Sequence, residues 1–348
     1  MKKTLLLIFV FAFAACAPKA DAPSEPATLT VMTHDSFAIS EEVVQAFEAK
    51  HDAQVVFLAS GDAGSALNKA ILTKEAPLAD LLFGVDNTFL SRALEEGIFE
   101  AYDAPALAEI PAEFKLDASN HAIPVDFGDV CINYDKAYFA EKNLAVPATL
   151  EDLLKPEYNG LLVVENPATS SPGLTFLMAT IAHFGEDGYL GFWAGLREND
   201  VAVADGWETA YYTNFSASSG QGAQPMVVSY GSSPAAEVIF AETALDDAPT
   251  ASILGPETCY RQIEFVGILT GTENRALAED FVDFMLSTEF QEDLPMQMFV
   301  YPVMPSATLP DEFIAYAEQP SQPASLDSAL IAANRDQWIQ DWTDTVLK

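Results

Sequence analysis

Positive charge is what this 348-residue chain has least of: 16 Lys and Arg stand against 52 Asp and Glu, a formal net charge of −36. Binding to nucleic acid rests on basic groups that neutralise phosphates, so that class of partner is excluded. Adsorption of the folded body to anionic lipid is disfavoured for the same reason. Cysteine is scarce. Only Cys16, Cys131 and Cys259 occur, and the four histidines (His34, His51, His121 and His183) lie near no cysteine pair with zinc spacing. Catalytic signatures are missing as well. The chain has no Gly-x-Ser-x-Gly elbow, His-Glu-x-x-His pair, Walker loop or Gly-x-Gly-x-x-Gly turn, so no catalytic residue, metal or cofactor is assigned and a non-enzyme is expected.

The start of the chain carries an address. Lys2 and Lys3 precede an unbroken apolar run over 5–15, which closes on Phe13-Ala14-Ala15-Cys16. A bilayer-spanning helix needs about 20 apolar residues, so this run reads as a secretory signal peptide over 1–15 that ends in a lipidation site. Cleavage before Cys16 leaves an acylated cysteine as the new N-terminus, and two or more acyl chains anchor stably. Residues 16–27 are rich in Pro and poor in large apolar groups, the composition of a flexible tether. The expected location is extracytoplasmic, held to a membrane through Cys16.

Beyond the tether, strand and helix signals alternate. Strands are expected over 28–32, 54–58 and 79–84, with helices over 41–50, 65–73 and 88–97 between and after them. The order βαβαβ implies a doubly wound sheet with ligands at strand carboxyl ends. The pattern restarts with strands over 161–164, 201–203 and 225–229 and helices over 172–183, 207–215 and 234–243. Two extended segments, 122–133 and 259–265, pass between the two signatures and read as hinge strands. The expected division is 28–127 with 265–348 as one lobe and 128–264 as the other. Hinge strands side by side bring Cys131 and Cys259 together, and an exported chain sits where a disulfide persists. Helices over 274–287 and 326–346 finish the chain. Trp338 and Trp342 in the last one are expected to pack against the first lobe.

The residues that carry chemistry gather at strand ends in both halves. His34 and Asp35 follow the first strand, Asp62 the second and Asp86 the third. Ser170 and Ser171 open a helix with Pro172 behind them, a pattern that caps a helix and offers free amides to an anion. Trp207, Tyr211 and Tyr230 follow strands of the second half. Carboxylates and aromatic faces converging on one cleft suit a flat organic cation, through charge pairing and cation–π contact.

These residues fall within a longer likeness. Asp35-Ser36-Phe37, Gly84-Val85-Asp86-Asn87, Asn166-Pro167-Ala168-Thr169-Ser170-Ser171-Pro172-Gly173, Gly206-Trp207-Glu208, Val228-Ser229-Tyr230 and Tyr301-Pro302-Val303 resemble, in order and spacing, the thiamine-binding substrate-binding proteins of ABC importers. The resemblance implies a two-lobed periplasmic-binding-protein-like α/β fold, each lobe a mixed sheet flanked by helices. It implies a monomeric clamp that delivers thiamine or a thiamine phosphate to a membrane permease. Carried onto this sequence, Asp62 meets the ligand's charge or amino group, Ser170 and Ser171 meet a phosphate, and Trp207, Tyr211 and Tyr230 supply ring and hydroxyl contacts. His34 stands where the family often has Tyr, and Phe299 where it often has Trp, so the cage is thinner in indole. The rival readings are a ferric-ion receptor of similar fold, suggested by the adjacent pair Tyr211-Tyr212, and a polyamine receptor, suggested by the acidity.

Overall fold

The computed structural model describes residues 26–219 and 222–348. The signal segment, Cys16 and most of the tether lie outside the described residues. The first half follows the expected alternation: β1 (Ala27–Thr33), α1 (Glu41–His51), β2 (Ala53–Ala59), α2 (Ala63–Leu72), β3 (Leu81–Asp86), α3 (Leu90–Glu95) and the short β4 (Phe99–Glu100). Every residue of β3 is buried, as its apolar run requires of a strand covered on both faces. Phe47 of α1 and Phe281 meet edge to face below this sheet at 5.0 Å between ring centroids. Full burial of such a side chain contributes about 2–3 kcal/mol.

The long strand β5 (Ile123–Asp135) leads into α4 (Lys136–Lys142), β6 (Leu162–Glu165), α5 (Ser171–Phe184), α6 (Tyr189–Glu198) and β7 (Ala202–Ala204). After them come α7 (Trp207–Thr209), α8 (Ser216–Ser219), β8 (Met226–Tyr230), α9 (Ser233–Ile239) and β9 (Thr250–Ile253). The return strand β10 (Tyr260–Leu269) is followed by α10 (Arg275–Met285), α11 (Thr288–Gln297), β11 (Tyr301–Pro302), α12 (Asp311–Tyr316) and α13 (Ser328–Val346).

The strands form one sheet whose main path is β2-β1-β3-β10-β5-β8-β6-β7, with β4 pairing β10 and both β9 and β11 pairing β5 off it. Parallel pairs lie at both ends (β1 with β2 and β3, β6 with β7 and β8), and antiparallel pairs in the middle. β5 and β10 therefore join two α/β halves, which gives the two-lobed architecture. A disulfide links Cys131 in β5 to Cys259 beside β10, closing a sequence separation of 128. On the chain-entropy account a loop of that length contributes about 5 kcal/mol.

Two expectations are corrected, and one helix is added. The helix expected over 207–215 is one helical turn followed by a π-helix over Ala210–Asn214, a geometry that recurs at functional sites. α6 was not expected from a stretch broken by Gly188, Gly191 and Gly195. Trp342 reaches the second half. Its ring meets Trp193 of α6 edge to face at 5.4 Å, and Arg197 Nη1 donates to the Thr345 carbonyl at 2.9 Å. Nearer its start, α13 sends the buried Arg335 over the Phe89 ring at 5.6 Å, with Nη1 3.5 Å from the Thr88 carbonyl. This helix is pinned to both halves.

Candidate ligand-binding cleft

A cavity of about 520 Å³ lies where the two halves face each other. Its first wall comes from the carboxyl ends of β1 and β2: His34, Asp35 and Asp62. Gly84 makes room for this wall. A Cβ there, at φ +94°, would stand 2.3 Å from His34 Cδ2. His34 Nε2 lies 3.5 Å from Glu264 Oε1. Burial alone would lower the imidazole pKa, but the Glu264, Asp62 and Asp35 carboxylates outweigh it and raise it.

The second wall is aromatic. The turn that runs from α7 into the π-helix stacks Trp207 on Tyr211, with centroids 5.1 Å apart and planes 18° apart. Tyr212 meets Trp207 edge-on at 5.4 Å, and Tyr230 stands 6.5 Å away. Trp207, Tyr211 and Tyr230 are fixed by polar handles. Trp207 Nε1 donates to Ser229 Oγ at 2.8 Å, Tyr211 Oη to Glu237 Oε1 at 2.7 Å, and Tyr230 Oη to Gln262 Oε1 at 3.2 Å. Gly128 admits the Tyr230 ring, because a Cβ there would stand 2.9 Å from Cδ1. Phe299 completes the wall near the mouth in a left-handed conformation (φ +58°), edge-on to Phe240 at 5.1 Å.

Where the walls meet, acids accumulate. Asp126 in β5 lies directly opposite Glu264 in β10. Like charges so placed destabilise a sheet, and burial together with Glu264 pushes the Asp126 carboxyl well up. Burial pushes Asp86 up to about 6, against hydrogen bonds from Ser171 and Thr88 that oppose the shift. Glu165 is buried with no hydrogen-bond partner for either oxygen, and its pKa is raised by that burial. Asp62 is also raised, by burial first, against amide hydrogen bonds from Ser171 and Ala63.

Of the eight residues read from the sequence as ligand contacts, His34, Asp62, Ser171, Trp207, Tyr211, Tyr230 and Phe299 line this cavity. Ser170 does not. It is buried, and its hydroxyl caps α5 by accepting from Gly173 N at 3.5 Å. The expected anion seat at this helix start is filled from inside the protein. Ser171 N donates to Asp62 Oδ1 at 3.0 Å, Pro172 has no N–H, and Leu174 N donates to the Ser170 carbonyl at 2.9 Å. The Ser171 hydroxyl donates to Asp86 and accepts from Gln262 Nε2 at 3.0 Å. Asp62 thus bridges the cleft, with Ala63 N as its second donor at 2.7 Å. The sequence reading missed Gln262 and Glu264, and named Tyr212 only within the Tyr211-Tyr212 pair of the ferric-ion reading. A carboxylate set between Ile263 and Phe265 in a strand was the available signal for Glu264.

Neither a lysine nor an arginine lines the cavity. Among the described residues no three His, Cys, Asp or Glu side chains are grouped to hold a metal ion. Among them no helix is long and apolar enough to cross a membrane.

The chain matches the family of bacterial extracellular solute-binding proteins over residues 76–323. The thiamine-binding periplasmic protein of Brucella suis biovar 1 (strain 1330) is 30% identical over 353 residues, 97% of this chain and 97% of that protein. Among solved structures, a periplasmic thiamin binding protein superposes with a TM-score of 0.80 at 29% identity, covering 92% of this chain and 96% of that one. A ferric binding protein from Campylobacter jejuni superposes at 0.74 with 18% identity, over 91% and 99% of the two chains, which is a likeness of fold alone.

Proposed function

The chain belongs to the bacterial extracellular solute-binding proteins, and from that premise we propose that it is a non-catalytic clamp for thiamine that serves an ABC permease. The observation that carries this reading is the cavity's division of labour. One wall presents carboxylates around His34, the other stacked rings, and no lysine or arginine lines it. A flat organic cation gains charge pairing from the first and cation–π contact from the second. The pocket lies within the volume range of small-molecule sites. The two lobes, 28–127 with 265–348 and 128–264, close on the ligand by rotation about β5 and β10. His34, Asp62, Ser171, Trp207, Tyr211, Tyr230 and Phe299 are the proposed contacts.

Calorimetry tests the reading. Thiamine is expected to bind below about a micromolar, an affinity of about −8 kcal/mol or better. Absence of heat with thiamine, its mono- and diphosphate and its pyrimidine, up to a millimolar, overturns it. The cationic ligand and the permease are the proposed partners, with the protein acting as a monomer.

The anchor is a second part of the proposal. Acylated Cys16 holds the clamp at the membrane, and the tether sets its reach, which raises its effective concentration near the permease. Labelling with a radioactive fatty acid, and release of a Cys16→Ser variant into the soluble fraction, are the expected results. An unlabelled protein that fractionates with the soluble pool overturns the anchor without touching the ligand.

A further inference from the structure

Five acidic side chains line the cavity: Asp35, Asp62, Asp205, Glu208 and Glu264. Asp35, Asp205 and Glu208 are exposed at its edge, where water competes for their oxygens. Asp62 is half-buried, and its Oδ1 already accepts from Ala63 N and Ser171 N. Glu264 differs from all four. It is only 8% exposed, on the strand that joins the halves. Its nearest basic neighbour, His34 Nε2, stands at 3.5 Å from Oε1, a long ion-pair contact. Across the strands it faces another acid, Asp126. Its neighbours on the same face of β10 do not fill the gap. Gln262 gives its oxygen to Tyr230 and its nitrogen to Ser171. A carboxylate offers about four lone-pair sites, so beside His34 and Asp126 the desolvated Glu264 keeps capacity as a strong acceptor for a ligand N–H.

We infer that Glu264 is the specificity-determining residue of the cleft and selects ligands by accepting a hydrogen bond from an exocyclic amino group on an aromatic heterocycle. The inference rests on the thiamine reading and deepens it. The two rings of that ligand ask for different things. A thiazolium carries a spread positive charge and no N–H, which suits the faces of Trp207 and Tyr211. An aminopyrimidine brings N–H groups that must be paired when buried, and Glu264 is the buried carboxylate of the lining.

The test compares thiamine with oxythiamine, in which the amino group is replaced by an oxo group while the cationic ring is unchanged. Purified protein is expected to prefer thiamine by at least about 100-fold, since a site built to pair an N–H rejects an analogue that lacks it. Glu264→Gln is expected to weaken thiamine by about 30-fold and to tighten oxythiamine, because the carboxamide can donate to the oxo group. Equal affinity of the unmodified protein for the two ligands overturns the inference, whatever the variant does. So does a parallel loss of both ligands in a Glu264→Gln protein with an unchanged melting curve, which would make Glu264 a general counter-charge. If thiamine itself does not bind, the reading of the cleft fails and this inference falls with it.

Discussion

The two walls of the cleft are built from different materials. The first half supplies His34 and Asp62 from turns that follow parallel strands, and their side chains are held by backbone amides and by each other's charge. The second half supplies Trp207, Tyr211 and Tyr230, each ring oriented by one side-chain hydrogen bond. The first side and β10 hold the less exposed acids, whereas the acids beside the rings, Asp205 and Glu208, are exposed to water. In the proposed clamp the rings and the shielded charge act together only when the halves approach across β5 and β10, which couples ligand binding to lobe closure.

The largest expected effect comes from loosening the joint between the walls. Paired Cys131→Ser and Cys259→Ser substitutions are expected to destabilise the protein by about 5 kcal/mol, read as a drop in thermal midpoint. Thiamine affinity measured well below the new midpoint should change much less, because the disulfide lies outside the cavity lining. The acidic side can be probed through protons. Asp86 titrates near 6 in the folded protein, above its ordinary value of 3.8. The native state then holds more protons than the unfolded chain between those two values, so this group's contribution makes stability fall as pH rises from about 4 to 6, by about 3 kcal/mol. Asp86→Asn should remove that slope from a plot of thermal midpoint against pH. An unaltered slope would place the proton elsewhere in the cluster.

The aromatic side yields a smaller number. Trp207→Ala is expected to weaken thiamine by about 30-fold, or about 2 kcal/mol, with little change in the melting curve of the free protein. If stability and affinity fall together, Trp207 is packing rather than recognition. Ser170→Ala gives the least. It removes the α5 cap and should lower stability by about 1 kcal/mol while leaving thiamine affinity unchanged, separating this serine from its neighbour Ser171.

Much of this was legible in the chain because it is local. Apolar runs with turn residues at their ends locate β1, β2, β3 and β8, and side chains that follow parallel strands must gather at one edge, which is how His34, Asp62, Trp207 and Tyr230 were found. The remainder depends on partners far apart in sequence. Ser170 and Ser171 read alike as helix-opening hydroxyls. Only the meeting of Ser171 with Asp62, across a separation of 109 residues, shows that the helix start already holds an anion. Glu264 was hidden for the opposite reason: one acid in a strand that also carries Arg261 and Gln262 looks like a pairing detail until Asp126 is seen opposite it. The widened π turn over Ala210–Asn214 leaves no mark in a pattern tuned to ordinary helical spacing.

The helix α13 sets the range of travel. It is a stiff rod that rises about 1.5 Å per residue, so its pins at Arg335 and Thr345 stand about 15 Å apart and cannot be stretched. One pin is a close Trp342–Trp193 contact supported by a 2.9 Å hydrogen bond, and the other is a guanidinium resting on the Phe89 ring with a 3.5 Å contact beyond it. In the proposed clamp motion, the looser pin is the one expected to give first. That pin is wired to the cleft: Arg335 meets the Thr88 carbonyl, Thr88 donates to Asp86, and Asp86 accepts from the cavity-lining Ser171, so the far helix and the ligand share one chain of contacts.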